Sequence, residues 1–417
     1  MRERKGLFLT SISGFLSLFI YGAVFAENYE ITNGRWFNGQ AFEEKTVYIV
    51  DGRFSMRKPD GKIAIINLQN QYVIPPFGEA HNHNLTSDWM LEQRARGYLK
   101  SGVFYAKMQS SIKKRVEAVK PVMDKFPAID VSYAHAPLTA TGGHPVKLRE
   151  IFFDRGYFDG IFETKAEIEG HGYFIINTKQ DIDDKWPVIL SAGPDFIKCN
   201  LLYSEEYHTR KDDPEYFGNK GLDPELLPLI VKKAHANNLR VSTHVNSVTD
   251  FHHAVVASVD EINHMPAHRE AEKINKEDAA LAAKKGVVVV TTASLIKNLK
   301  EKSPEKYEQI KSNMADNLKL LKEQGVILAV GSDMWDDNSV EEAMFLHSLD
   351  VFTNLELLKM WTENSPKTIF PNRKIGELRD GFEASFLALK GNPLEDFKNV
   401  KKIKLRVKQG IIIDAGN

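Results

Sequence analysis

His81 and His83 stand either side of Asn82 in the stretch FGEAHNHN. Side chains two apart on a strand share a face, so both imidazoles can bind one cation at about 2.0–2.1 Å. In a chain with 13 histidines, one such pair carries little weight by itself. More weight comes from where the next polar groups fall. Lys198 follows the apolar run PDFI, His244 ends LRVSTH, His264 ends VDEINH and Asp333 ends VILAVGSD. Each closes a run that reads as a strand. A lysine facing inward beside cations is unfavourable as an ammonium. It must pair with a carboxylate, or react as the free amine with carbon dioxide. The second route gives an anionic carbamate whose two oxygens can bridge two metal ions.

Residues so far apart can share a site only if the elements that carry them converge. From residue 76 to 367, apolar strand-like runs (GVFYAKM, AIDVSY, PDFIKCN, LRVSTHV, VDEINHM, GVVVVTT, GVILAVGSD) alternate with amphipathic helical stretches such as PELLPLIVKKAHAN and YEQIKSNMADNLKLLKEQ. That alternation predicts a parallel sheet, and its length suits a (β/α)8 TIM barrel, in which active sites form at the C-terminal ends of the strands. His81 and Asp333 are about 250 residues apart, roughly one circuit of such a barrel. A doubly wound open sheet is the rival, but no Gly-rich phosphate turn follows the first strand. Ala329 and Gly331, below Asp333 on the last strand, leave room for ions and ligands. Two insertions, roughly 151–190 and 204–222, lie near the fourth strand and are placed to cover a site.

The two ends have a different texture. Residues 27–75 and 368–417 hold short β-rich runs broken by Asn-Gly, Asp-Gly and Pro-Pro, which predicts a small β-sandwich domain built from both chain ends and interrupted by the barrel. Residues 1–26 have a basic head (Arg2, Arg4, Lys5), an uncharged apolar run, and small residues at Val24 and Ala26, the pattern of a cleaved signal peptide. A retained anchor is the alternative, weakened by the serines, threonine and glycines in the run. The expectation is an exported protein, periplasmic or secreted, with no stable membrane insertion after cleavage. With 55 Lys and Arg against 56 Asp and Glu, no basic excess points to nucleic acid. Cys199 is the single cysteine, so no intrachain disulfide forms. The partner expected is a small-molecule or short-peptide substrate, and a homo-oligomer is compatible with the sequence.

VIPPFGEAHNH, DFIK, VSTHV, DEINHMP, AVGSD and the run NSPKTIFPNRKIGELRDGFEASFLALKGNPLEDF, in this order, resemble the amidohydrolase superfamily, especially its imidazolonepropionase-like and prolidase-like members. The similarity covers nearly all of residues 45–410. It implies that His81, His83 and Asp333 hold one Zn²⁺ and His244 with His264 a second, bridged by carboxylated Lys198. One ion remains open, because imidazolonepropionase-like members use a single metal without the lysine. There are two departures: Glu79 stands where the family has Asp, and Glu383-Ala384-Ser385 replaces its usual Ala-Asp-Leu.

The chemistry implied is hydrolysis of an amide-type C–N bond, as in a small peptide or N-acyl amino acid. The nucleophile would be hydroxide held by zinc, with Asp333 as general acid and base. Ring opening of a cyclic amide, imidazolone or lactone is the alternative, and a non-catalytic metal-containing binding protein is a third. His144, in TATGGHPV, could hydrogen-bond a developing oxyanion and help bind substrate, with Gly142 and Gly143 permitting close approach. Tyr203 is a second substrate-binding candidate, and Trp335 a pocket-lining one. Arg149, Arg155, Arg210 and Lys211 are candidate carboxylate partners. His135, His171, His208, His235, His252, His253, His268 and His347 lack a strand-end position and are expected to be structural. By alternation, Cys199 should face away from the site.

Overall fold

The computed structural model describes residues 27–267 and 273–413; the expected signal peptide and His268 lie outside them. Eight parallel strands form the centre: β1 (Phe77–Asn82), β2 (Val103–Met108), β3 (Asp130–Tyr133), β4 (Ile197–Asn200), β5 (Val241–His244), β6 (Glu261–Asn263), β7 (Val288–Val290) and β8 (Ile327–Ala329). Strands β1 to β3 pair in order, as do β4 to β8. Two junctions close the circle. Ala80 N donates to Val330 O at 3.0 Å and Asp333 N to His81 O at 2.8 Å, joining β1 to the end of β8, while Asp195 N donates to Tyr133 O at 2.9 Å between β3 and β4. Fold and connectivity are those of a TIM-like barrel.

Alternation along the strands separates two environments. Val287 and Val289 belong to the main core under the helices, whereas Val288 and Val290 join Ala80 and Ala329 in a separate small cluster on the other face. Gly331 cannot carry a side chain: a Cβ there would lie 2.6 Å from His81 N and from Val290 Cγ1. The small inner residues therefore let β8 press against the histidine strand.

Strand β1 does not alternate strictly. Between Glu79 and Asn82 it advances three residues while β2 advances two, from Ala106 to Met108. Such a bulge re-aims the residues after it. The following pair, His81 and His83, still shares a face, as the spacing predicts.

The chain ends form one seven-stranded mixed sheet, in the order Ile411–Ile412, Ile403–Lys408, Phe386–Leu389, Ala64–Ile74, Tyr29–Phe37, Phe42–Val50, Arg53–Ser55. It curls over itself. Phe54 N donates to Phe382 O at 2.9 Å and Ala384 N to Gly52 O at 2.8 Å, so the edge strand meets residues that lead into Phe386–Leu389. Trp36 fills the fold, its ring centroid 5.9 Å from Phe54 and 5.4 Å from Phe386. Glu383, one of the unusual residues, is tied down by Arg373 at 2.6 Å and Ser385 Oγ at 2.7 Å. Among the described residues no helix is long and apolar enough to cross a membrane.

Candidate active site

The strand ends bring the predicted ligands together. Donor atoms of His81, His83 and Asp333 all lie within 4.8 Å of one another. The Asp333 carboxylate is 3.6 Å from His81 Nε2 and 3.4 Å from His83 Nε2. The His264 ring centroid is 4.7 Å from that of His81 and 4.3 Å from that of His244, and His144 lies 5.2 Å from His244 on the far side. All six, with Lys198, line one cavity of about 340 Å³.

Burial dominates the electrostatics. It holds His81, His244 and His264 well below the usual imidazole range, with neighbouring imidazoles and Lys198 adding to it. Burial, then Lys198, brings His83 down to about 3 and His144 to about 4. Neutral imidazoles are the form that binds metal. His81 Nδ1 is buried without a hydrogen-bond partner, and His264 Nδ1 is engaged by Thr292 Oγ1 at 2.8 Å, which turns its other nitrogen toward the cavity. His81 and His83, both neutral, turn Nε2 toward the Asp333 carboxylate, a donor set that fits a divalent cation. Burial raises Asp333 to about 7, with Lys198 opposing. Burial likewise lowers Lys198 to about 7, which Glu261 and Asp333 partly offset.

Lys198 has no carboxylate within ion-pairing distance among the described residues. Its Nζ donates instead to Asn263 Oδ1 at 2.5 Å. Beyond Asn263 runs a buried polar network that sequence reasoning missed. Glu261 accepts from Lys107 Nζ at 2.8 Å, Gln109 Nε2 at 3.1 Å, Asn263 Nδ2 at 3.1 Å, Ser242 Oγ at 2.8 Å and Thr368 Oγ1 at 2.7 Å. A signal was available in the two-residue spacing of polar side chains, Lys107 with Gln109 and Glu261 with Asn263, in otherwise apolar strands.

Glu79 supports the site from below. It accepts from Ser332 N at 2.8 Å, Ser332 Oγ at 2.6 Å and His81 N at 3.2 Å, tying the histidine strand to the segment before Asp333. Asn82, on the opposite face from the histidines, bonds Ser332 Oγ at 3.0 Å.

His144 is placed by the second insertion. Its N–H donates to Lys220 O at 2.8 Å, and Gly218 N donates to Gly142 O at 2.7 Å. Gly142 has φ +65°, and a Cβ on Gly143 would lie 2.4 Å from Thr139 Oγ1 and 3.0 Å from Lys220 O. The glycines thus serve packing of the second insertion. The first begins in the helix Val146–Asp154 and continues into an apolar cluster of its own around Phe158, Phe162, Ile168 and Tyr173.

Other expectations fall differently. Tyr203 is not among the residues that line the cavity, and Arg210 sits 4.2 Å from its ring centroid. Arg210 is itself paired with Glu206 at 2.7 Å, and Arg155 and Lys211 are exposed, so of the four cationic candidates only Arg149 reaches the cavity. Trp335 lines it too. Cys199 is buried, its thiol pushed up to about 12 by burial. The other described histidines have structural partners, such as Asp260 for His235, Asp278 for His252, Ser204 for His253 and the Phe397 ring for His347.

A TIM-like barrel joined to a sheet domain from both chain ends is also the fold of solved structures that this chain resembles, one of them described as an amidohydrolase, at TM-score 0.72 and 18% identity over 93% of this chain and 98% of that one. Residues 218–413, which carry His244, His264 and Asp333, match the Amidohydrolase family. Over 213 residues, 50% of this chain, the sequence is 30% identical to ochratoxinase of Aspergillus niger, and the match spans 43% of that protein. The chain therefore spans less than half the length of the curated relatives it matches. The fold superimposes over 93% of this chain on 96% of the A. niger ochratoxinase crystal structure, with TM-score 0.73 and 20% identity. A Xaa-Pro dipeptidase with bound methionine in the active site gives TM-score 0.73 at 18% identity, over 93% of this chain and 100% of that one. Molinate hydrolase gives 0.72 at 16%, over 94% and 95%.

Proposed function

We propose that this protein is an exported, zinc-dependent amidohydrolase that cleaves an amide-type C–N bond in a small peptide or N-acyl amino acid. One observation carries the reading: His81, His83 and Asp333 converge within 4.8 Å in a cavity that also takes in His244, His264 and Lys198. The names of the relatives agree with it, since ochratoxinase and Xaa-Pro dipeptidase are both hydrolases by name.

In this reading His81, His83 and Asp333 would hold one ion and His244 with His264 a second. Lys198 would join the ligand set as its carbamate, formed when the neutral Nζ attacks carbon dioxide and sheds a proton. Support comes from the amide, rather than carboxylate, partner of Lys198 and from its lowered pKa of about 7. The ions supply Lewis acidity toward the scissile carbonyl and toward water. Asp333 accepts the proton of the attacking water and returns it to the leaving nitrogen. His144, neutral above about pH 4, donates a hydrogen bond to the carbonyl oxygen as negative charge develops there.

The test pairs metal analysis with turnover. Purified protein loaded with zinc in bicarbonate should hold two ions per chain, and fewer after bicarbonate is removed; one ion under both conditions removes the carbamate bridge. A panel of dipeptides, N-acyl amino acids and lactones then assigns the bond. Asp333→Asn should lower kcat by at least about a hundredfold while the melting temperature stays near that of the parent. Unchanged kcat in that variant sinks the mechanism.

A further inference from the structure

Lys198 stands where the ligand cluster meets the buried polar network. It lines the cavity, yet its Nζ donates to Asn263 Oδ1, on a side chain that is fully buried and not among the residues that line the cavity. The same amide is within hydrogen-bonding reach of His81. What faces Lys198 from the network side is therefore a neutral acceptor rather than a counter-ion.

The end of the amide that faces the lysine is set by Glu261. Asn263 Nδ2 donates to Glu261 Oε1 at 3.1 Å, which leaves Oδ1 for Lys198. The flipped amide would set its oxygen against the Glu261 carboxylate and its N–H groups against the Lys198 amine. Glu261 is held in turn by Lys107 Nζ at 2.8 Å and Thr368 Oγ1 at 2.7 Å. Orientation thus passes from a buried ion pair to the amide, and from the amide to Lys198.

The consequence for the carbamate is geometric. When Nζ attacks carbon dioxide, its lone pair forms the N–C bond, one C=O pair moves onto oxygen, and one amine proton leaves to solvent in the cavity. The nitrogen keeps a single hydrogen and becomes planar by conjugation, with that hydrogen and the new carboxylate pointing different ways. An ammonium has three hydrogens to offer and tolerates many acceptor positions; a carbamate nitrogen has one. An acceptor fixed on the network side therefore selects the rotamer. With the hydrogen on Asn263 Oδ1, the carboxylate turns away from the network and toward the cavity lined by His81, His244, His264 and Asp333. An aspartate in place of Asn263 would do the opposite, pairing with the ammonium and holding the nitrogen out of reaction.

We propose that Asn263 is a positioning residue for Lys198: its amide oxygen, aimed by Glu261, accepts the one N–H that the carbamate keeps and turns the carboxylate group into the ligand cluster. The inference rests on the carbamate reading of Lys198 and adds to it the residue that orients the group.

The full chain, loaded with zinc and titrated with isotope-labelled bicarbonate, reports the carbamate through its carbon NMR resonance, apart from turnover. Loss of one hydrogen bond predicts that Asn263→Ala needs roughly tenfold more bicarbonate than the parent to reach half of the full signal. Its second zinc should be lost at low bicarbonate and regained at high. Asn263→Ser, which returns an acceptor oxygen, should need less bicarbonate than the alanine variant, and Asn263→Asp should give no signal across the titration. If the added buried carboxylate prevents folding, the alanine and serine midpoints decide. A residue that merely packs would lower the melting temperature of Asn263→Ala and leave its bicarbonate midpoint at the parent's; that result overturns the inference, as does a full signal in Asn263→Asp. The two claims fail differently. A parent with no carbamate signal and one zinc removes the carbamate and the inference together. A parent with the signal, whose midpoint Asn263→Ala shares, loses the positioning role alone and leaves the two-ion site standing.

Discussion

His264 and Asp333 both hold a left-handed backbone, at φ 76° and 53°, where residues other than glycine rarely sit. Such conformations cost about 1–3 kcal/mol each and persist where the surroundings over-determine them. Here the determinants are visible: Asp333 N is bonded to His81 O at 2.8 Å and His264 N to Val290 O at 3.1 Å. Each turn lifts a donor off the end of its strand and into the cavity. His144 has no such strand to hold it, so its role is open to direct test. If it donates to a developing oxyanion, His144→Ala should lower kcat by about 10²–10³ with little change in zinc content or melting temperature. Asn, which keeps a donor, should recover part of that loss. A change confined to KM would assign it to substrate binding alone.

The elements that carry these residues are fixed by contacts between loops as much as by the barrel. Asp250 caps the helix Val248–Val256 together with Ser247, and its carboxylate also accepts from Tyr203 N at 2.9 Å, Ser204 N at 2.8 Å and Asn246 N at 2.9 Å. One carboxylate thus couples the loops that follow β4 and β5, the strands of Lys198 and His244. The loop of His144 is similarly pinned to residues 218–220 through Gly142 and Gly143. Gly143→Ala would force a methyl group against Thr139 Oγ1 and two carbonyls. The expected cost is about 1–3 kcal/mol of stability, read as a lower urea midpoint, with kcat/KM falling further than the stability loss explains because His144 is displaced. A variant with the parent's kcat/KM would show that the loop position does not matter to turnover.

At the scale of the whole molecule, the barrel interior is polar where most cores are apolar. Glu261 and Lys107 are buried together, 1% and 2% exposed, and Glu261 anchors side chains from β2, β5 and β6 and from Thr368. Burial by itself would raise the Glu261 carboxyl, but Lys107 and Arg240 outweigh it and hold it at about 2. Glu261→Gln leaves the Lys107 ammonium buried without its partner and should cost about 3–5 kcal/mol. Replacing both, as Lys107→Met with Glu261→Gln, should cost less than that single change, and a larger cost would contradict the pairing. The pH dependence has a definite sign. A carboxyl lowered on folding contributes stability above its unfolded value of about 4.3, and that contribution fades as pH falls toward the folded value. The difference in urea midpoint between parent and Glu261→Gln should be largest near neutrality and shrink between about pH 4 and pH 2. A constant difference across that range would place the charge elsewhere.

Much of the barrel was legible in the sequence because its evidence is local. Seven apolar runs after the histidine stretch, alternating with amphipathic ones, determine strand and helix, and a polar residue closing a run locates a strand end. His81, His83, Lys198, His244, His264 and Asp333 were all readable in that way, and the structure brings them to one cavity. The bulge in β1 was not legible, since it depends on register against β2 rather than on any residue type. Nor was the position of Tyr203, set by the loop that Asp250 gathers, or the choice of Arg149 over three other cations. The partners of Glu261 were not legible either, because the spacing of Lys107 with Gln109 and of Glu261 with Asn263 marks polar inward faces but not which side chains meet. The sequence by itself determined which residue types stand at which strand ends, through the period of two along a strand. Only the tertiary structure decided which loop side chains share the cavity with them, because loop paths are set by long-range contacts that leave no periodic trace.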